Sequence, residues 1–122
     1  MSRRRGITSS FGYAFEGVTQ AFRSEPNFRI HLVITIIVFI LGWYLKITQT
    51  EWTITILTIS ATVVLELINT AIEAVVDLAS PKISKLAKIA KDVSAAAVLI
   101  SSLAAAAVGI IIFLPKLLLF LK

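Results

Sequence analysis

Apolar runs separated by short polar breaks predict four helical segments in this chain. The first segment, residues 7–24, has apolar residues spaced four, four, three and four apart, so they share one helical face. This apolar stripe consists of Ile7, Phe11, Phe15, Val18 and Phe22. Because the opposite face is polar, the segment is typical of a helix that lies in the membrane interface or packs on a helix bundle.

Three further runs, residues 28–47, 52–79 and 93–114, are long and apolar enough to cross a bilayer, which takes about 20 residues. Pro26 separates the first of them from the surface helix, and Pro115 is expected to end the last. The region between the second and third runs reads as a basic loop or short helix. The pattern predicts an all-α membrane protein with a surface helix and three transmembrane helices.

Composition supports one membrane domain over residues 1–122. The chain is 57% hydrophobic, and its mean hydropathy of +0.91 is too high for a soluble domain of this size. It contains no cysteine, which excludes disulfides, thiolate zinc sites and a cysteine nucleophile. Nucleotide-binding motifs of the Gly-x-x-x-x-Gly-Lys and Gly-x-Gly-x-x-Gly types are absent.

The net charge of +5 comes from basic residues that flank the apolar runs, which indicates membrane topology rather than nucleic-acid binding. Nine stand on the side of the N-terminus, Arg3, Arg4, Arg5, Arg23, Arg29, Lys82, Lys85, Lys88 and Lys91, and three on the other side, Lys46, Lys116 and Lys122. This asymmetry predicts a cytoplasmic N-terminus and a cytoplasmic basic loop. The first three arginines are expected to form a mobile arm near anionic headgroups, or simply a topology signal.

The second membrane run contains an acidic face. Glu66, Asn69, Glu73 and Asp77 are spaced three, four and four apart and share one side of a helix. A carboxylate in mid-membrane costs about 2.5–3.5 kcal/mol, so this face must meet other helices, water or a cation. It could bind a divalent metal, accept a proton, relay ions in a conduit, or hold helices together in a structural subunit.

The string Glu66-Leu-Ile-Asn69-Thr-Ala-Ile-Glu73-Ala-Val-Val-Asp77, followed by Ala90-Lys91-Asp92 and Ala95-Ala-Ala-Val-Leu, resembles the prokaryotic diacylglycerol kinase family. These are small bacterial membrane lipid kinases. The resemblance covers roughly residues 7–115. It implies a homotrimer with active sites shared between neighbours, and transfer of the γ-phosphate of ATP, with Mg²⁺, to the hydroxyl of a membrane lipid.

The resemblance also implies roles for individual residues. Glu66 would be the catalytic base for the lipid hydroxyl, and Glu25 and Glu73 would hold the metal. The residues expected to bind ATP are Tyr13, Glu25, Asn69, Glu73, Lys82, Lys91 and Asp92, with Lys91 on phosphate. The residues expected to meet the lipid substrate are Arg29, His31 and Glu66. From position alone, His31 is more typical of a headgroup or helix-end contact than of a metal ligand.

Some positions depart from the enterobacterial diacylglycerol kinases. Those enzymes carry a glutamate where His31 stands, and Ser84 replaces a histidine. Ala95 replaces a serine that some members have, and the segments at 27–31 and 111–116 look more like the undecaprenol kinase branch. The resemblance therefore favours undecaprenol as acceptor, with diacylglycerol as the alternative, in a bacterial plasma membrane with a cytoplasmic active site.

Overall fold

The structure is a computed structural model that describes residues 6–122, so the predicted arm at Arg3, Arg4 and Arg5 lies outside the described residues. The described chain consists of four α-helices and has no strand: α1 (Ile7–Ser24), α2 (Pro26–Tyr44), α3 (Gln49–Ala79) and α4 (Lys85–Phe120). Helices α2, α3 and α4 are each long and apolar enough to cross a membrane. The predicted all-α class with three membrane spans is confirmed.

Local capping chemistry sets where the helices begin. Pro26 occupies the first turn of α2, where its missing N–H costs no hydrogen bond. Thr48 and Glu51 form a reciprocal capping box, which starts α3 three residues earlier than the predicted Trp52. The Ser84 hydroxyl accepts a hydrogen bond from the N–H of Ala87 and starts α4 well before the predicted residue 93.

The prediction that the last membrane helix ends before Pro115 is wrong, because α4 continues through this proline to Phe120. A proline inside a helix removes one backbone hydrogen bond. In an apolar environment the remaining backbone groups still need internal partners, which favours continuing the helix. The ion pair between Lys116 Nζ and Glu51 Oε1, 3.1 Å long, also holds the segment after Pro115 against the start of α3.

Helices α3 and α4 run antiparallel and form the most extensive helix contact in the described chain. Polar pairs join them at matching levels. The hydroxyls of Thr62 and Ser101 are 2.9 Å apart, and the Ser94 hydroxyl donates to Asn69 Oδ1 at 2.6 Å. These two pairs are seven residues apart on each helix, the spacing of helices packed in coiled-coil fashion. The same contact therefore aligns the acidic face of α3 with the start of α4.

A small apolar core closes the opposite end of the bundle. Ile47, Ile112 and Phe113 are buried there against Trp52 and its neighbours. Gly42 is also buried, and a Cβ at this position would lie only 3.0 Å from the Trp52 ring. The glycine therefore allows α2 to approach the start of α3 closely.

Candidate functional site

The most buried charged side chain in the described chain is Glu66 in the middle of α3, which is 3% exposed. His31 of α2 faces it across the helix interface, and Nε2 of the imidazole lies 3.1 Å from Oε1 of the carboxylate. The Glu66 carboxylate, which would be costly to expose to lipid, is therefore buried and has a polar partner. Within the single chain, His31 contacts the predicted base, and its predicted contact with the lipid substrate or a headgroup stays a prediction.

Asn69, three residues after Glu66, is oriented from the neighbouring helix. The buried Ser94 hydroxyl donates to Asn69 Oδ1 at 2.6 Å and also lies 3.0 Å from the carbonyl oxygen of Lys91. With its oxygen occupied, Asn69 keeps its amide N–H groups for another acceptor. Ser94 is not among the site residues predicted from the sequence. Its partner lies on a different helix, so spacing along α4 gives no sign of this contact.

Lys91 Nζ lies 2.5 Å from Asp77 Oδ1 and joins the start of α4 to the end of α3. The side chain of Lys91 is 39% exposed and that of Asp77 66%, so solvent screens the pair and it contributes little to stability. Asp92 pairs with Lys88 one turn away, also at the exposed end. A weakly held lysine can exchange its carboxylate partner for a phosphate group. No individual role was predicted for Asp77. In the structure it is the ion-pair partner of Lys91.

Glu25 and Glu73, the predicted metal ligands, are both partly buried. Glu25 lies between α1 and α2, and Glu73 lies two turns beyond Glu66 on α3. No group of three or more acidic, histidine or cysteine side chains within residues 6–122 is arranged to hold a metal. Mg²⁺ is commonly held by one or two carboxylates together with substrate phosphates and water. Glutamate carboxylates are oxygen donors of the kind that a magnesium ion takes when it arrives with a nucleotide.

The other predicted site residues, Tyr13, Lys82 and Arg29, lie on separate elements of the chain. Tyr13 is about half-exposed on α1, and Lys82 lies in the exposed connection between α3 and α4. The Arg29 guanidinium lies 3.4 Å from the carbonyl oxygen of Phe22 and so ties α2 to the end of α1. In the part of the chain that the structure describes, neither Glu25 nor Lys82 forms a side-chain hydrogen bond or ion pair with the acidic face.

A cavity of about 320 Å³ opens between α2, α3 and α4, and it is lined by His31, the partner of Glu66, but not by Glu66 itself. His31 lines one end of it, and Val38, Thr55 and Phe113 line the other, so it extends along the membrane helices. Its walls are mainly apolar. The Thr55 hydroxyl is buried and has no hydrogen-bond partner among the described residues. This cavity could not be predicted from the pattern along any one helix, because three separate helices enclose it.

Comparison with known proteins adds independent evidence. The chain matches the family described as prokaryotic diacylglycerol kinase over residues 12–113. It is 42% identical to the undecaprenol kinase of Bacillus subtilis over 108 residues, which is 88% of each chain. It is 43% identical to a diacylglycerol kinase of Synechocystis over 110 residues, 89% of this chain and 63% of that one. Against the diacylglycerol kinase of Escherichia coli K12 the identity is 30% over 99 residues, 81% of each chain.

The family match covers most of the chain and includes the acidic face of α3 and the start of α4. The buried glutamate, the oriented asparagine and the lysine at the helix start all lie within it. The resemblance seen in the sequence is confirmed, and the protein is a lipid kinase: the chain belongs to the prokaryotic diacylglycerol kinase family.

Proposed function

We propose that this protein uses ATP and Mg²⁺ to phosphorylate a membrane lipid alcohol, with undecaprenol as the favoured acceptor and undecaprenyl phosphate as product. The observation that carries this proposal is the Glu66 carboxylate, which is buried in a membrane helix and paired with His31, a residue that lines an apolar cavity. A buried proton acceptor whose histidine partner lines an apolar cavity suits an alcohol that is attached to a hydrocarbon chain.

The reacting hydroxyl would give its proton to Glu66 as its oxygen attacks the γ-phosphorus of ATP. Phosphoryl transfer depends mainly on alignment and on neutralising charge. Lys91, released from Asp77, would bind a phosphate, and the Asn69 amide would donate to another phosphate oxygen. Magnesium, when bound by Glu25 and Glu73, supplies further positive charge.

Tyr13, Lys82 and Asp92 complete the proposed nucleotide site. Tyr13 lies on α1, and the other two flank the N-terminal end of α4, so they would bind ATP from different sides. Arg29 is expected to lie where the lipid headgroup meets the membrane surface. The partial exposure of these residues suits a nucleotide that enters from water.

Two acceptor lipids are candidates, and undecaprenol is the favoured one. The Bacillus subtilis relative, which matches along most of both chains, is an undecaprenol kinase. Diacylglycerol is the second candidate, because the relatives from Synechocystis and Escherichia coli are diacylglycerol kinases. The cavity would accept hydrocarbon next to the reacting hydroxyl in either case.

The proposed assembly is a homotrimer in the bacterial plasma membrane, with the N-terminus and the nucleotide site on the cytoplasmic side. The exposed apolar stripe of α1, which includes Phe11 and Phe15, would lie in the membrane interface. The excess of basic residues on this side supports the orientation. Neighbouring subunits would complete the site that each chain forms in part.

A magnesium titration with matched variants tests the proposal. Glu73→Gln is expected to lower lipid phosphorylation at least tenfold at limiting Mg²⁺, and a higher Mg²⁺ concentration should restore part of the rate. Glu51→Gln is the control, since it makes the same change at the opposite end of α3. Loss of its capping and Lys116 contacts should lower stability but leave the Mg²⁺ dependence unchanged. Unchanged turnover in Glu73→Gln at all Mg²⁺ concentrations would refute the metal assignment. Activity without Mg²⁺ would refute the magnesium requirement, and no ATP-dependent product at all would favour an ion conduit or structural subunit.

A further inference from the structure

The contact between Glu66 and His31 joins two membrane helices at the buried carboxylate. Within residues 6–122, the imidazole of His31 is the only side chain within hydrogen-bond or ion-pair distance of the Glu66 carboxylate. The two residues belong to different helices, α3 and α2, and their side chains are 5% and 22% exposed. The orientation of the buried carboxylate therefore depends on this one histidine.

The chemistry of the two groups determines where the proton lies. In the ionised form that serves as a base, the carboxylate can only accept hydrogen bonds, so in that form Nε2 of His31 carries the proton of this contact. The interaction occupies Oε1 of Glu66 and leaves Oε2 as the oxygen that can accept a proton from another molecule. A carboxylate held at one oxygen has lost most of its rotational freedom before a substrate arrives.

The position of His31 relative to the cavity adds a second observation. His31 lines the end of the interhelical cavity that is nearest to Glu66. A hydroxyl at the end of a chain lying in that cavity would therefore lie against the imidazole, whose Nε2 is 3.1 Å from Oε1 of Glu66. The same ring would hold the base and border the path of the acceptor.

We propose that His31 is a positioning residue that holds Oε1 of Glu66 through Nε2–H, so that Oε2 faces the acceptor hydroxyl. The inference rests on the proposed function. In the step, the acceptor O–H bond breaks and its proton passes to Oε2. The acceptor oxygen forms a bond to the γ-phosphorus, and the bond from that phosphorus to ADP breaks. His31 keeps its proton throughout, and Glu66 later releases its own to solvent.

Substitutions that keep or remove the N–H donor provide the kinetic test. His31→Leu removes the donor, and His31→Gln keeps an amide N–H. We expect His31→Leu to lower kcat about 10- to 100-fold with an unchanged KM for ATP, the scale of a misplaced catalytic group. His31→Gln should stay within about fivefold of the unmodified protein.

A matched control separates positioning from packing. Ser101→Ala removes a different polar contact between membrane helices, the pair of hydroxyls at Thr62 and Ser101. It is expected to leave kcat unchanged. If His31→Leu retains kcat within twofold, or if His31→Gln is as impaired as His31→Leu, the positioning role is refuted.

A spectroscopic test needs no lipid kinase activity, because His31 is the only histidine in the chain. Protein labelled with ¹⁵N in the imidazole gives the signals of one ring in detergent micelles. We expect a protonated Nε2 whose chemical shift changes in Glu66→Gln but not in Ser101→Ala. Identical spectra for Glu66→Gln and the unmodified protein would overturn the proposal. A protein with this contact but without lipid phosphorylation would refute the proposed function alone.

Discussion

The hydrogen bond between Ser94 and Asn69 leads to a specific prediction, because it fixes one member of the proposed site from a second helix. Ser94→Ala removes the hydroxyl that donates to Asn69 Oδ1 at 2.6 Å and changes nothing else in the backbone. The asparagine would then be able to rotate, and its amide N–H groups would no longer point consistently at a phosphate. We expect ATP to be held more weakly in the transition state, whereas the affinity for the lipid acceptor should not change.

The magnitude follows from the contact. A neutral hydrogen bond contributes about 0.5–1.5 kcal/mol, and a partly buried oxygen left without its partner costs about 1–3 kcal/mol. A loss of about 1–2 kcal/mol corresponds to a five- to thirtyfold lower kcat/KM for ATP, since about 1.4 kcal/mol is a factor of ten. Ser94 is buried, so solvent does not readily replace the lost hydroxyl.

The assay is steady-state phosphorylation of the lipid in mixed micelles with ATP as the varied substrate, alongside thermal unfolding in the same micelles. Ser101→Ala is the control, because Ser101 lies two turns further along α4 and also contacts α3 through a hydroxyl. Both variants should lose similar stability, and only Ser94→Ala should lose kcat/KM. Equal kcat/KM losses in the two variants would mean that Ser94 acts through helix packing alone, which refutes the reasoning.

Three further predictions concern other contacts. Gly42→Ala should lower the unfolding temperature, because the new Cβ would lie 3.0 Å from the Trp52 ring and such overpacking costs about 1–3 kcal/mol. An unchanged unfolding temperature would contradict the close approach of the two helices. Thr55→Val should raise the free energy of unfolding by about 1 kcal/mol, because it removes a buried hydroxyl that has no hydrogen-bond partner in the described chain. A lower free energy of unfolding would show that this hydroxyl does have a partner. Lys91→Gln should raise the KM for ATP about tenfold through loss of a charged contact with phosphate. Lys46→Gln, at the opposite end of the helix bundle, should leave the KM unchanged, and equal effects of the two variants would refute the phosphate role of Lys91.

Much of the fold could be predicted from the sequence, because hydropathy and helical spacing are local properties. The three membrane spans follow from apolar runs, and the shared face of Glu66 and Asn69 follows from their spacing on a single helix. The end of the last helix could not be predicted the same way. Pro115 normally ends a helix in water, but the apolar segment around it continues as helix and is held by the ion pair of Lys116.

The partners of the site residues could not be predicted, because each lies on another helix. Spacing along α3 gives no indication that Glu66 meets His31, that Asn69 meets Ser94 or that Asp77 meets Lys91. These pairs depend on the level at which the helices pack. The sequence therefore supplied the chemistry of the acidic face, and the packing of three helices supplied its orientation.

A direct competition between two acceptors tests the central claim. The purified protein in lipid–detergent micelles receives labelled ATP, Mg²⁺, and undecaprenol together with diacylglycerol, and Glu66→Gln is measured in parallel. The proposed function predicts label mainly in undecaprenyl phosphate, and its loss in the variant. Label only in phosphatidic acid would contradict the choice of acceptor, and equal labelling by Glu66→Gln would contradict the role of the buried carboxylate as base.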